Sequence, residues 1–361
     1  MGIDSIGSPG AVVVPKPQTE VAAPAPEAAK PAAAVGFAAA STFSASNVGA
    51  TDAERRAMSP AELSKDNYAK FGNQPVDITN KQGAESLVVM SPQLDNLDST
   101  GNDKVRCGGA CLADAVLLDG DPKGNAAALQ KLKTQCEANG ATYPKEQVDA
   151  LNALGKGKMT PVQAAHLQEF MMTTAQFLPA RPAGATNVDG GGITPNGMAA
   201  TLQAINQAGG LRHGGNVEMT SEVRTNDKGG TYNHWTLTTR DASLSPTHVD
   251  PMPNQYGNKT LEHAEPPPAP SFVTDPADPK REVPNPKLQA QVVLYPKHEG
   301  DKGSIVDVRT RGFDKQLVTN GPVRHVIGHV RYEFDPAKKA EPKVTAVMRD
   351  KDTMEELGPL G

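Results

Sequence analysis

Three cysteines occur in the 361 residues, Cys107, Cys111 and Cys136, and two of them bracket a glycine pair in the stretch CGGACLADAVLL that begins at Cys107. An odd number argues against a disulfide framework and leaves at least one thiol free. A free thiol is either a small buried apolar group or, when ionised near neutral pH, a strong nucleophile. The unpaired N–H groups of a helix N-terminus favour the ionised form. Cys107 stands where an apolar, helix-periodic run begins. Gly108 and Gly109 are expected to leave the backbone beside it uncovered, so that a substrate carbonyl can approach. The N–H of Cys107 itself could then face the oxyanion that develops in acyl transfer.

A nucleophilic thiol needs a base, and the base needs an orienting partner. Of the eight histidines only His234 is followed by a tryptophan within a strand pattern, YNHWTLTTR. Asp250, in THVDPM, comes sixteen residues later (250 − 234). A strand, a turn and a second strand fit that gap, and antiparallel pairing would set Asp250 beside His234. Blander assignments exist for each residue: Cys107 as an inert helix cysteine, His234 as a half-buried strand residue with a satisfied ring, Asp250-Pro251 as a simple turn. Cys111 is the alternative nucleophile, and one helical turn below Cys107 it also fits buried packing. Cys136, near the end of a predicted helix, reads as structural.

These residues carry a family resemblance. CGGACLA resembles the Cys-Gly-Pro-Ala-x-Leu-Ala pattern of the bacteriocin-processing (double-glycine leader) peptidases, within the papain-like cysteine peptidase group. HWTLTT…HVDP resembles their His-strand-Asp-Pro segment, and the order Cys, His, Asp is also theirs. The resemblance spans residues 107–251 and implies Cys107 as nucleophile, His234 as base and Asp250 as orienter, on a papain-like α+β fold. Gly109 stands where the pattern has Pro. The family's oxyanion-holding Gln, shortly before the Cys, is replaced by Gly101. Asn102 and the more distant Gln93 are then the oxyanion candidates, with Gly108, Gly109 and Trp235 flanking the site. In the papain-type signature Cys-Gly-Ser-Cys-Trp the second cysteine is the nucleophile, but there the two cysteines stand three apart; here they stand four apart, with Leu112 in place of Trp. No cofactor or metal is required, and the expected partner is a peptide or protein substrate.

The elements that must position these residues read as helices first, strands later. Residues 1–60 read as a flexible leader, because the first fifty residues hold fourteen Ala and six Pro and few groups able to offset ordering entropy. Helices are expected over 59–71, with Ser59 as cap and Pro60 first, and over 107–118, 125–139, 160–178 and 193–210. Strands are expected over 85–91, 216–224, 231–240, 246–252, 289–296, 304–311 and 323–334, with TNDKGG as a hairpin turn. Residues 95–103 read as a loop. Eight prolines between 266 and 286 predict a linker or insertion without sheet or helix. The domain reading is a leader over 1–60, a catalytic unit over 61–265, the linker over 266–286, sheet-completing strands over 287–335 and a loose charged tail over 336–361. Helices succeeded by strands point to α+β, helices packed on an antiparallel sheet.

Several function classes are disfavoured. Net charge is −5 and no basic stripe interleaves with aromatics, so nucleic-acid binding has no electrostatic basis. No run of eighteen apolar residues predicts a membrane span. The N-terminus has no standard secretory signal, and Ile6 occupies the position where myristoylation requires Ser or Thr. A cytoplasmic protein, or one exported without a standard signal, is expected. The glycosylation acceptor at Asn258-Lys259-Thr260 matters only on a secretory route. Residues 95–106 lack the alternating acids and closing Glu of an EF-hand. His325 and His329 face one side of a strand, but nothing completes a metal-ligand spacing. Two functions remain: a cysteine hydrolase or acyl transferase, most simply a peptidase with deamidation and transglutamination open, or a non-catalytic papain-like interaction module, for example an exported bacterial effector.

Overall fold

Local capping chemistry sets most of the helices. The computed structural model describes residues 50–94, 105–179, 186–226, 228–266, 272–296, 305–317, 324–333, 343–350 and 356–359. Helices α1 (Asp52–Ala57) and α2 (Pro60–Phe71) each open on a capping box, Thr51 with Glu54 and Ser59 with Glu62. Helix α1 falls inside the stretch expected to be leader. It is held because Arg55 pairs with Asp66 of α2, and the Ala50 N–H donates to the same carboxylate at 3.1 Å.

Strand β1 (Val76–Asp77) precedes α3 (Lys81–Met90), which overturns the strand expected over 85–91. Asn80 caps α3, and Ala84, Leu87 and Val88 recur at helical spacing and are buried. Tertiary burial at that period overrides the strand preference of the Val88-Val89 pair. Next come α4 (Cys107–Leu118), α5 (Pro122–Ala138), α6 (Lys145–Lys156), β2 (Lys158–Met159) and α7 (Pro161–Phe177), the last with a Thr160–Gln163 capping box. A short hairpin of β3 (Val188–Asp189) and β4 (Gly192–Ile193) leads into α8 (Pro195–Ala208), capped by Thr194. Strand β1 pairs with β2.

The remaining elements among the described residues are strands: β5 (Val217–Thr225), β6 (Thr231–Arg240), β7 (Pro246–Pro253), β8 (Lys259–Glu262), β9 (Phe272–Asp275), β10 (Asp278–Pro284), β11 (Leu288–Tyr295), β12 (Ile305–Leu317), β13 (Arg324–Glu333), β14 (Lys343–Asp350) and β15 (Glu356–Pro359). Nine of them form one antiparallel sheet in the order β15-β14-β13-β12-β11-β5-β6-β7-β8. The chain is thus mixed α+β. Strand β11 enters beside β5, with Val292 opposite Met219, so the later strands extend the sheet built by β5–β8.

Two expectations fail in this half. The proline-rich stretch holds a two-stranded ribbon, β9 with β10, where no sheet was expected. A ribbon has only edges, and its prolines fall where no ladder donor is needed: Pro276 in the turn, Pro279 within the register irregularity and Pro284 at a strand end. The tail, expected to be loose from 336 on, carries β14 and β15. Strand β14 pairs with β13 from Glu333↔Lys343 to Val326↔Asp350.

Helix α4 lies within the hydrophobic core. It is buried from Cys107 to Leu117, and it packs on α7 and on β6 and β7 of the sheet. The paired glycines explain how a helix approaches its neighbours this closely. A methyl group on Gly109 would lie 2.6 Å from the Gln168 carbonyl oxygen of α7, and one on Gly108 would lie 3.0 Å from Ile193 of β4. The glycines therefore serve close packing and do not leave open backbone, as was expected of them. The one charge in the buried face, Asp114, meets Lys259 of β8, whose Nζ lies 2.7 Å from both carboxylate oxygens. Burial raises the Asp114 carboxyl to about 6 although Lys259 opposes the rise.

Candidate active site

Cys107 is the first residue of α4, so its thiol lies among unpaired N–H groups of the helix mouth. Burial pushes this thiol above its ordinary value, while the N–H groups of Trp235, Gly108 and Cys107 itself, and the charge of Arg224, draw it back down. The sulfur is therefore next to the backbone of the residue after His234. Burial wins, so the resting group is a thiol that needs a proton acceptor to become a nucleophile.

Strands β6 and β7 bring His234 and Asp250 together. Their pairing ends at Leu237↔Val249, and beyond it His234 and Asp250 lie diagonally on one face. His234 Nε2 lies 2.8 Å from Asp250 Oδ1. The same oxygen accepts from the Met252 N–H at 3.0 Å, and Oδ2 accepts from Arg224 Nη1 at 2.9 Å. Burial alone would raise the Asp250 carboxyl, but the His234 ring, Arg224 and the Met252 N–H together hold it well below the usual carboxylate range. An ionised Asp250 accepts from Nε2, which fixes the tautomer and leaves Nδ1 as the basic nitrogen. That Nδ1 is buried and has no hydrogen-bond partner among the described residues. The ring is 1% exposed, and Tyr232 meets it edge-on at 6.4 Å between centroids.

Gln93 is bound by its backbone to the neighbours of two of these residues. Its N–H donates to the Pro251 carbonyl at 2.9 Å, and its carbonyl accepts from Arg106 Nη2 at 2.6 Å. Arg106 precedes Cys107 and also pairs with Glu169 of α7 at 3.1 Å. Gln93 and Cys107 line the same cleft, of about 760 Å³. Asn102, the other oxyanion candidate, and Gly101 lie outside the described residues. Trp235 shapes the cleft wall: its indole N–H donates to the Ile193 carbonyl at 2.9 Å and ties the β3–β4 hairpin to β6.

Of the three free thiols only Cys107 lines this cleft among the described residues. Cys111 is fully buried, its Sγ donates to the Trp235 carbonyl at 3.3 Å, and burial pushes it well above the ordinary thiol range. Cys136 is buried against the Thr174 carbonyl, and its thiol too is raised by burial. His325 and His329 lie on β13, four places from β6 in the sheet. No group of three metal-ligating side chains occurs among the described residues, and none of their helices is long and apolar enough to cross a membrane.

Arg224 was missed in the sequence. An arginine near the end of a strand carries no signal of its own, and only the pairing of β5 with β6 reveals it opposite Tyr232, one diagonal step from His234. No protein-family model, curated protein or solved structure matches the chain.

Proposed function

We propose that the chain is a cysteine-dependent acyl-transfer enzyme of papain-like type, a peptidase in its simplest form, acting through Cys107, His234 and Asp250. The observation that carries the reading is the state of His234. One ring nitrogen is bound to an ionised carboxylate, the other is buried without a partner, and the next residue's N–H reaches the Cys107 thiol. An unpartnered buried nitrogen costs free energy in a resting fold, and a proton-accepting role accounts for it.

In this mechanism Nδ1 of His234 takes the thiol proton as Cys107 Sγ attacks the substrate carbonyl carbon. The carbonyl π electrons move to oxygen, where the Cys107 N–H and the side chain of Gln93, which lines the same cleft, would serve as donors. Collapse expels the leaving amine, which takes the proton from His234. Water then attacks the thioester, gives a proton to His234, and releases the acid and the thiol. Asp250 keeps Nε2 protonated throughout and stabilises the imidazolium.

One observation favours a second reading, that of a binding module. Cys107 is only 6% exposed, and its neighbouring glycines are filled by packing. Incubation with a diverse peptide library in ¹⁸O-water separates the two. The enzyme reading predicts new carboxyl groups that carry ¹⁸O and vanish in Cys107→Ser. Unchanged peptides, bound or unbound, with no ¹⁸O uptake would support the binding module.

A further inference from the structure

The His234–Asp250 pair has a fourth partner that the triad chemistry does not require. Arg224 lies on β5, and Asp250 lies two strands away on β7, with His234 on the strand between them. The Arg224 guanidinium passes this intervening strand to reach Asp250 Oδ2 at 2.9 Å. Arg224 and Asp250 are 30% and 23% exposed, whereas the His234 ring beneath them is 1% exposed. The ion pair is thus the part of this cluster that reaches solvent, and the His234 ring is the part withdrawn from it.

We propose that Arg224 is a positioning residue of this site: it anchors the second oxygen of Asp250, so that the first keeps facing His234 Nε2 and the ring stays held as the proton acceptor for Cys107. The inference rests on the acyl-transfer reading above. Two oxygens with separate partners give the carboxylate one rotamer. Without Arg224, Oδ2 would turn to solvent, and the carboxyl could rotate about its bond and exchange oxygens at His234. The guanidinium also acts at a distance. It is among the groups that hold the Asp250 carboxyl down, and it opposes part of the rise that burial imposes on the Cys107 thiol.

The other charges around Asp250 come from every element packed on it. On β5, Glu222 lies opposite His234, with its carboxylate 4.0 Å from Arg224 Nη2. His248 stands on β7 itself, and Glu262 pairs with it from β8. Lys259 of β8 and Asp114 of α4 pair with each other, and α4, which packs on β6 and β7, also carries Cys107 and the fully buried Cys111. On α2, which packs on β7, Asp66 is taken up by Arg55 and Lys70. Among the described residues, Arg224 is the cation bound directly to Asp250, besides the His234 ring when protonated.

The test is the rate of Cys107 alkylation by iodoacetamide as a function of pH, read by mass spectrometry on the full chain. Parent, Arg224→Gln, Arg224→Met, Arg224→Lys and His234→Ala are compared. The neutral variants should move the acid limb of the profile up by about one pH unit and slow alkylation on that limb about tenfold. Met keeps the aliphatic stem and its packing, should Gln fail to fold. Lys keeps the charge and should restore the parent limb to within a few tenths of a unit. A folded neutral variant with the parent's limb, or a Lys variant shifted as far as Gln, overturns the assignment of Arg224 alone. A parent profile that His234→Ala leaves unchanged overturns the acyl-transfer reading and this inference with it.

Discussion

Replacing Asp250 by Asn keeps the shape of the side chain and removes its charge, and the hydrogen bonds around it set the cost. The carboxylate accepts three of them, from His234 Nε2 at 2.8 Å, Arg224 Nη1 at 2.9 Å and the Met252 N–H at 3.0 Å. An amide has one oxygen. If that oxygen occupies the Oδ1 position, the amide NH₂ opposes the Arg224 guanidinium. If it occupies Oδ2, the NH₂ opposes the Met252 N–H and donates to His234 Nε2, which forces the proton onto Nδ1 and abolishes the base. Either orientation loses a charge-assisted hydrogen bond, about 2 kcal/mol for groups this buried. Turnover should fall by on the order of 10⁴ where the wrong tautomer dominates. The stability loss carries a pH signature. Because the folded protein holds the Asp250 carboxyl below its ordinary value, its contribution is full above the ordinary carboxylate pKa of about 4 and is lost as pH falls toward the folded value. Urea unfolding should therefore show Asp250→Asn weaker than the parent by about 2 kcal/mol at neutral pH, with the gap narrowing at pH 3. An equal gap at both pH values would refute the claim that an ionised, hydrogen-bonded Asp250 holds His234.

Further expectations concern the core beneath the site. Lys259→Met leaves the Asp114 carboxylate buried without its ammonium and should cost about 3–5 kcal/mol in urea unfolding at neutral pH, and adding Asp114→Leu should recover most of it. Gly109→Ala should cost about 1–3 kcal/mol in the same assay, because its methyl meets a backbone carbonyl that cannot yield; an unchanged stability would mean α4 and α7 can separate freely.

Much of the fold was legible where local chemistry and burial agree. Ser59-Pro60 with Glu62, Thr160-Pro161 with Gln163, and Thr194-Pro195 each announce a helix start and each stands at one. Helix α6 escaped notice because Pro144 precedes it and no side chain caps it, although its apolar period is regular. Helix α3 was read as a strand from its β-branched residues, and β10 and β14 were hidden by prolines and charge. Burial against distant elements decides α3, while β10 and β14 are settled by pairing with the strands before them in sequence, β9 and β13. The site shows the same division. Cys107, His234 and Asp250 could be singled out by residue type and order. Gln93 and Arg224 could not be ranked, because their places depend on a backbone bond to Pro251 and on strand pairing. The glycines were legible as unusual, but whether they admit substrate or a neighbouring helix is a tertiary fact.

The most direct test of the central claim is the pH profile of Cys107 alkylation in the parent and in His234→Ala. If His234 Nδ1 is the proton acceptor for this thiol, the parent should alkylate below neutral pH, with Cys107 well ahead of Cys111 and Cys136. His234→Ala should be slower by about tenfold or more at pH 6 and react only as the pH turns alkaline, because burial then holds the isolated thiol above its ordinary value. Superimposable profiles for the two proteins between about pH 5 and 9 would contradict the account, since a thiol coupled to His234 cannot ignore its removal.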